Sequence, residues 1–408
     1  MTNILLVPIN DLVSHPTETR FISIGRKLVE KFDVNLFVLR YKNLPTDLKA
    51  SRKLNFQMVD YYDVKMKNIG LYYTINSGSF LSVLLRKLKQ EKIDLIIHAN
   101  LLPSTIVVGL GKLLNIPLIF DYQDHFPESA ANYYKNSTVR SLAYSFTSQI
   151  NDFNIKHSDQ IVTVTDSHRK LIKKIAPHKP VTVIPNGVDT NLFRPIPRSL
   201  AISKLNLPQL IGKKILLYFG SIDSWLDFST IFIVIKRLLK RGLDVVFMIV
   251  GYSHNRYFLE ELKNNAAKLG IGDRVLFLPP VIQSRLVYYI NAADVTIAPY
   301  KPVEKNQAVS LKILESLACG RPVCSTRVSE IVNRFKGTIS LYSNERDLES
   351  ILLQYLTGKM SMSPEKMTEL VKEYSWDNFA SIYYNIFWDI NIIMNLYTRV
   401  FFCILESV

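Results

Sequence analysis

The chain has 408 residues, of which 48% are hydrophobic and 21% charged, and this balance excludes a generally disordered protein. At about 100–200 residues per domain, the length predicts two or three domains. An odd, sparse set of cysteines argues against a disulfide framework, and none of them pairs with another at a zinc-ligand spacing: Cys319, Cys324 and Cys403. We therefore expect a reducing compartment.

The formal net charge of +15 is spread over both halves of the chain. Residues 1–195 carry 25 basic and 16 acidic side chains (+9), and residues 196–408 carry 25 and 19 (+6). A basic surface attracts nucleic acid, anionic lipid head groups or phosphorylated substrates. No nucleic-acid motif accompanies the basic clusters at 86–89 and 169–174, so a membrane surface or a phosphate is favoured. Solvated helix faces would explain either cluster equally well.

The first half of the sequence alternates short apolar runs with longer amphipathic stretches. The opening run lacks the basic flank and the length of a signal peptide, so it predicts a first buried strand. Continuous apolar strands separated by helices indicate a parallel sheet covered on both faces. The predicted strands cover residues 4–9, 34–40, 95–98, 118–121 and 160–164, and predicted helices include 17–31, 81–90 and 105–114.

A second series of apolar runs follows a proline-punctuated stretch, residues 194–212, which is typical of an interdomain linker. Its predicted strands cover residues 215–219, 245–250, 275–278, 295–298 and 322–325. The predicted fold class is therefore α/β, with two tandem Rossmann-like, doubly wound parallel sheets. Ligands bind at the carboxyl ends of such strands, which predicts a central cleft that the two domains face.

The predicted domains are residues 1–195, residues 196–375 and a C-terminal helical segment, residues 376–408. The last segment is apolar and aromatic, but polar side chains interrupt it where burial in lipid would be costly: Asp389, Asn391, Asn395 and Arg399. We favour a terminal helix packed against the domains. An interfacial membrane helix is the alternative.

The segment 307–323 carries the clearest chemical pattern. Ser310 can cap a helix there, and Gly320 can end it. The first turn of this helix offers unpaired backbone N–H groups near residues 308–311, where a diphosphate can bind. Lys312 and Glu315 lie three residues apart, hence on one face, where a carboxylate can accept both ribose hydroxyls of a nucleotide. A surface helix with a local ion pair is the alternative.

This segment resembles the nucleotide-sugar signature of glycosyltransferase family 4, a family of retaining enzymes with the GT-B fold. The stretch 183–195 is similar to the family's sequence at the end of the first domain. Shorter stretches fall in the expected order, and together the matches cover nearly the whole chain: 120–128, 218–220, 273–278 and 292–295.

The resemblance implies a donor-binding set in the second half. Glu315 matches the family's second glutamate, which binds the ribose, whereas Gln307 stands where the first glutamate is usual. An amide can still bond a sugar hydroxyl but holds no negative charge. The matched segments complete the donor-binding set with Asn186, Gly220, Ser310 and Leu311.

The basic pair that many members carry after the strand ending at Gly220 is absent from this sequence. The diphosphate charge must then be met elsewhere, and Lys312, Lys301 and Lys305 are the candidates. Lys312 is the predicted catalytic cation, because it lies on the helix that the resemblance assigns to the donor.

The acceptor side is predicted in the first half, where the resemblance places an acidic turn after a central strand. Asp124 can orient or deprotonate an acceptor hydroxyl, and His125 lies beside it; a helix cap is the equal alternative for Asp124. His15 and Arg20 follow the first strand, in a loop without the family's usual glycines, and are predicted to contact acceptor or donor phosphate. A plain loop histidine is the alternative for His15.

We therefore expect a retaining glycosyltransferase that moves a sugar from a nucleoside-diphosphate sugar to a glycan or a polyprenyl-phosphate-linked glycan. No metal or other cofactor is expected, and no nucleic acid partner. The expected location is the cytoplasm, with peripheral binding to an anionic membrane surface. A nucleotide-sugar epimerase of the same architecture and a non-catalytic sugar-nucleotide-binding protein are the alternatives.

Overall fold

The structure is a computed structural model. It describes residues 1–14, 20–45, 51–100, 102–131, 134, 136–253, 255–301, 310–327, 334–335 and 337–405, with side chains up to residue 390. The chain divides into two compact units. Unit 1 comprises Met1–Pro185 together with Trp376–Val408, and unit 2 comprises Asn186–Ser375.

Unit 1 is built on a parallel sheet in which every described strand pair runs in the same direction. The strand order is β3-β2-β1-β4-β5-β6-β7. Its central strands are almost entirely buried, which explains their continuous apolar sequence. The strands are β1 Thr2–Val7, β2 Val34–Leu39, β3 Gln57–Val59, β4 Leu95–His98, β5 Leu118–Tyr122, β6 Gln160–Thr163 and β7 Val181–Val183.

Helices cover this sheet, and several begin at side chains that cap their first turn. The Asn136 side chain accepts hydrogen bonds from the backbone N–H groups of Thr138 and Val139, and Thr165 accepts one from that of His168. The helices are α1 Arg20–Lys31, α2 Ile69–Ile75, α3 Ser77–Gln90, α4 Leu102–Leu113, α5 Phe126–Ala131, α6 Ser137–His157 and α7 Asp166–Ile175.

Unit 2 repeats the architecture with the strand order β10-β9-β8-β11-β12-β13, again parallel throughout. One apolar core fills the space between the sheet and its helices. The strands are β8 Lys214–Ser221, β9 Val245–Tyr252, β10 Val275–Leu278, β11 Val295–Ala298, β12 Val323–Thr326 and β13 Ser340–Tyr342. The helices are α8 Arg198–Leu205, α9 Phe228–Lys240, α10 Arg256–Lys268, α11 Gln283–Ala292, α12 Leu311–Ala318, α13 Glu345–Leu356 and α14 Pro364–Lys372.

The predicted fold class, two doubly wound parallel sheets, is confirmed, and each predicted strand overlaps an observed one. Three observed strands, β3, β7 and β13, were not predicted from the sequence. Each has only three residues and lies at the edge of its sheet. Edge strands are partly exposed, so they lack the long apolar run by which the central strands are recognised.

The boundary between the units falls after Pro185, ten residues before the predicted one. The stretch after it is tied into unit 2. Val188 forms a parallel bridge with Ser375, Phe193 is buried in the unit 2 core, and the Ile196 N–H donates to the Asn291 side chain. The prolines that suggested a linker therefore lie on the surface of unit 2.

The C-terminal helix, α15 Trp376–Leu405, belongs to unit 1. Asp377 at its start pairs with Lys31 at 2.8 Å, and the Tyr384 ring stacks on Phe32 with 4.0 Å between centroids. Its described side chains thus pack against α1. Among the helices of the described residues, none combines the length and apolar composition of a membrane span.

A buried polar network fixes α15 to the sheet. Both the Tyr383 hydroxyl and the Arg20 Nε donate to Oδ2 of Asp121, which is fully buried at the end of β5. Arg20 Nη1 also donates to the Pro185 carbonyl at 2.7 Å. A buried carboxyl without hydrogen-bond partners would be costly, and these donors offset that cost.

We expect Tyr383→Phe to lower the free energy of unfolding by about 1–3 kcal/mol, because Asp121 loses a buried donor. Thermal unfolding measures the change as a fall in melting temperature, of about 2–4 °C for each kcal/mol in a unit of this size. Tyr384→Phe is the matched control, since its ring contact with Phe32 is kept. Equal melting temperatures for the two variants would contradict a stabilising role for the network.

Candidate functional site

The helix α12 of unit 2 begins as the sequence predicts. Ser310 is its N-cap residue, and Gly320 follows its last turn in the left-handed conformation, with φ of 65°. The Ser310 side chain makes no capping hydrogen bond. The first backbone N–H groups of a helix have no acceptor within the helix, so those of Leu311 and Lys312 are suited to an anion.

Two glycines make room beside this helix at the carboxyl ends of β8 and β9. Gly220 and Gly251 are partners in the parallel register, and a Cβ on Gly251 would lie 1.8 Å from the Gly220 carbonyl oxygen. A Cβ on Gly220 would lie 3.2 Å from Nζ of Lys312, and φ of 119° also restricts this position to glycine. The Lys312 ammonium therefore lies directly against the backbone of β8.

Two tyrosine rings flank the same ammonium. Nζ of Lys312 lies 5.3 Å from the centroid of the Tyr218 ring and 5.6 Å from that of Tyr300, within cation–π range. Burial acts to lower the pKa of Lys312, but the Tyr300 and Tyr218 hydroxyls and the Glu315 carboxyl outweigh it and raise this pKa above its ordinary value. Lys312 therefore carries its positive charge throughout the physiological pH range.

Glu315 lies one turn further along α12 and is only 6% exposed. Gln283 at the start of α11 donates to its Oε1 from 3.4 Å, a long hydrogen bond. Burial raises the pKa of Glu315 to about 8, and Lys312 and Gln283 offset only part of this effect. A buried carboxyl with so little internal support is ready to accept hydrogen bonds from a ligand.

The loop after β8 carries acidic rather than basic side chains. Asp223 is buried close enough to Tyr252 and Tyr218 to raise the pKa of both hydroxyls, in addition to the effect of their burial. Asp227 caps α9 by accepting from the Thr230 N–H at 3.1 Å. Trp225 is 47% exposed, so it is not a core residue.

The remaining predicted donor residues are placed as follows. Asn186 is the first residue of unit 2, and Lys301 lies exposed three residues after β11. Gln307 and Lys305 lie outside the described residues, as does His15 on the acceptor side. In the described part of the chain, no three His, Cys, Asp or Glu side chains are grouped as metal ligands.

Unit 1 contains a pocket of about 490 Å³ at the carboxyl ends of its central strands. Polar residues that follow β1, β4 and β5 line one part of it: Asn10, Asn100 and Asp124. Largely apolar residues on α2, α5 and α6 line another: Ile69, Leu71, Phe126, Ala130, Ala143 and Phe146. A pocket of this size at this edge is where ligands bind in parallel α/β sheets.

Asp124 faces this pocket just before α5. Its carboxylate accepts from the His125 N–H at 2.8 Å and from the Ser129 hydroxyl. Nδ1 of His125 lies 2.8 Å from the Tyr122 hydroxyl. Asp124 thus both supports the start of α5 and lines the pocket, and its role with an acceptor hydroxyl stays a prediction.

Arg20, the other predicted acceptor-side residue in the described chain, is 5% exposed and engaged with Asp121, Pro185 and Tyr383. Its guanidinium serves the internal network of unit 1. Contact with an acceptor stays a prediction for which this geometry gives no support.

Four residues that contribute to the α12 site were not predicted as site residues from the sequence: Tyr218, Gly251, Gln283 and Tyr300. One signal was present, because Gly220 and Gly251 each follow an unbroken apolar run, of five and six residues, on consecutive strands. Gln283 lies 32 residues before Glu315 and gives no local sign of the contact.

Two protein-family sequence models match the chain. Residues 17–192 match the sequence model described as Glycosyltransferase Family 4, and residues 213–357 match the one described as Glycosyl transferases group 1. The chain belongs to the family 4 glycosyltransferases.

Two relatives show the range of similarity. A D-inositol 3-phosphate glycosyltransferase of Thermobispora bispora is 35% identical over 180 residues, 42% of this chain and 40% of the relative. An alpha-monoglucosyldiacylglycerol synthase of Streptococcus pneumoniae is 25% identical over 299 residues, 72% of this chain and 65% of the relative. The chain thus spans less than two thirds of the length of either relative.

Solved structures share the fold. A sucrose-phosphate synthase of Thermosynechococcus elongatus superposes with a TM-score of 0.76 at 14% identity, over 96% of this chain and 100% of that one. HepE of Anabaena, in complex with UDP and glucose, gives 0.68 at 13% identity, over 95% and 99%. The fold of this family 4 glycosyltransferase is GT-B, as predicted.

The raised pKa of Glu315 predicts a pH-dependent cost in stability. The native state keeps this proton up to about pH 8, whereas the unfolded chain loses it near 4.5, so unfolding releases a proton and stability falls as pH rises between these values. We expect Glu315→Gln to remove this slope. Its stability relative to the original chain should then rise by up to about 1.4 kcal/mol per pH unit.

Denaturant unfolding at several pH values measures this difference in the free energy of unfolding between the variant and the original chain. The range from about pH 5 to pH 8 covers the titration of Glu315. Glu261→Gln, at an exposed position on α10, is the control and should give a flat difference. A difference for Glu315→Gln that does not change with pH would contradict the buried, protonated carboxyl.

Proposed function

We propose that the chain transfers a sugar from a nucleoside-diphosphate sugar to an acceptor, with the donor bound at the α12 edge of unit 2. The observation that carries the proposal is the pairing on one helix face of a cation, Lys312, with a poorly supported buried carboxyl, Glu315. A nucleotide needs both kinds of group, one for its diphosphate and one for its ribose. The family membership and the UDP complex of HepE support the same donor class.

In this proposal the ribose hydroxyls form hydrogen bonds with the Glu315 carboxyl group. The diphosphate accepts from the first N–H groups of α12 and pairs with the Lys312 ammonium. Charge grows on the leaving diphosphate as the glycosidic bond breaks, so a fixed cation there stabilises the transition state more than the bound donor. Lys312 and the helix N–H groups meet this charge without a metal ion.

The acceptor is proposed to bind in the unit 1 pocket. Asp124 would accept a hydrogen bond from the reacting hydroxyl and orient it. Transfer would proceed with retention, as the family resemblance implies. The relatives' names point to different substrates, since one is named for D-inositol 3-phosphate and another for synthesis of alpha-monoglucosyldiacylglycerol.

We further propose that the chain works at the cytoplasmic face of an anionic membrane. Support comes from the net charge of +15. Each basic residue near such a surface adds about 1 kcal/mol of attraction, so a few suffice for reversible binding.

We expect Glu315→Ala to weaken UDP binding about 10-fold to 100-fold, the equivalent of about 1.5–3 kcal/mol for two lost ribose hydrogen bonds to the buried carboxyl. Calorimetric titration with UDP measures the affinity. Glu261→Ala is the exposed control, and circular dichroism establishes that both variants fold. If the folded Glu315→Ala variant binds UDP with unchanged affinity, Glu315 does not bind the ribose.

We expect Lys312→Ala to lower kcat by about 100-fold to 1000-fold, with a smaller effect on donor affinity. Steady-state kinetics against the donor, with binding measured separately, distinguishes the two effects. Lys268→Ala, on the exposed face of α10, is the control. A raised KM with intact kcat would show that Lys312 only binds the donor.

A further inference from the structure

The pocket of unit 1 has a lining of two kinds. The residues after the strands are mostly polar, whereas the helices contribute mainly apolar side chains together with a few hydroxyls, such as those of Thr74, Ser129 and Thr147. The helical part reaches the surface, because Leu71 on α2 and Phe146 on α6 both line the pocket and are 55% and 59% exposed. Large apolar side chains held in water at the rim of a pocket indicate an apolar ligand that enters there.

The charge of the lining restricts the ligand further. Among the described residues that line the pocket there is no lysine, arginine or histidine. Asp124 is present, and its carboxylate has lone pairs beyond those that accept from His125 and Ser129. An anionic group in this pocket would meet a like charge with no cation beside it, whereas a hydroxyl would find an acceptor.

We propose that this pocket binds an uncharged amphiphile, a lipid with a hydroxyl-bearing head, and that this lipid is the acceptor. Its head lies against Asp124, and its apolar chain lies along α2 and α6 and leaves the pocket between Leu71 and Phe146. The role of the lipid as acceptor rests on the proposed transfer reaction, whereas its binding in the pocket does not.

The exposed part of α6 is suited to contact with a membrane, from which such a lipid would come. Between residues 136 and 151 the sequence has no acidic residue and one basic residue, Arg140. Leu142 is also exposed on this stretch. The first acidic residue of α6 is Asp152, directly after this stretch. A helix segment with apolar and basic but no acidic side chains can rest on a lipid surface.

Binding of short-chain lipids, below the concentration at which they aggregate, tests the pocket without a membrane. We expect dioctanoylglycerol to bind the full chain at least about tenfold more tightly than dioctanoyl phosphatidate, which carries the same chains on an anionic head. Shorter acyl chains should bind more weakly, by about fourfold for each methylene that leaves the pocket.

Variants locate the binding. Ala143→Trp, which fills the pocket from α6, should abolish dioctanoylglycerol binding, and Phe146→Ser should weaken it about fivefold or more. Leu142→Ser is the matched control on the same helix, since Leu142 does not line the pocket. Asp124→Asn should reduce the difference in affinity between dioctanoylglycerol and dioctanoyl phosphatidate, because the charge that repels the phosphate is removed.

Binding of phosphatidate as tight as that of dioctanoylglycerol would overturn the proposal, as would lipid binding that Ala143→Trp leaves unchanged. UDP binding, measured in the same samples, separates this proposal from that for the donor. If UDP binds and neither lipid does, the lipid proposal fails alone. If dioctanoylglycerol binds as expected and UDP does not, the donor proposal fails and the pocket assignment stands.

Discussion

The candidate donor site depends on a cation packed against bare backbone. Lys312 can lie beside β8 only because Gly220 has no side chain, and Gly220 can hold its position only because Gly251 on the neighbouring strand has none either. The parallel register brings the two glycines together at the carboxyl ends of their strands. Lys312 is thereby fixed at the start of α12, where the helix dipole adds to its positive potential.

The two units treat buried carboxyls in opposite ways. Oδ2 of Asp121 in unit 1 receives hydrogen bonds from both Arg20 and Tyr383, and these bonds hold α15 in place. Glu315 in unit 2 has one long hydrogen bond from Gln283, and its pKa is raised to about 8 by burial. A buried carboxyl with two strong donors is a structural element, whereas one with a single long hydrogen bond, on a helix beside the carboxyl ends of the strands, is a candidate for ligand binding.

Much of the fold could be predicted from the sequence, because the central strands are buried on both faces and therefore apolar throughout. The position of α12 was equally accessible, since Ser310 and Gly320 mark its ends. Interactions between distant residues were not. Arg20 was predicted to contact a ligand, but it bonds Asp121 and Tyr383, which are 101 and 363 residues away. No local sequence pattern indicates partners so far apart in the chain. For the same reason, the sequence did not predict the tyrosines around Lys312.

The most direct test of the central claim, that unit 2 binds a nucleotide sugar, is a thermal-shift panel of UDP-, GDP- and ADP-sugars on the unaltered chain. A ligand at a hundred times its Kd stabilises the native state by about 2.7 kcal/mol, which corresponds to roughly 5–10 °C for a unit of this size. The account predicts a shift of this order for the sugars of at least one nucleotide. No shift with any of them, at concentrations up to the millimolar range, would contradict it.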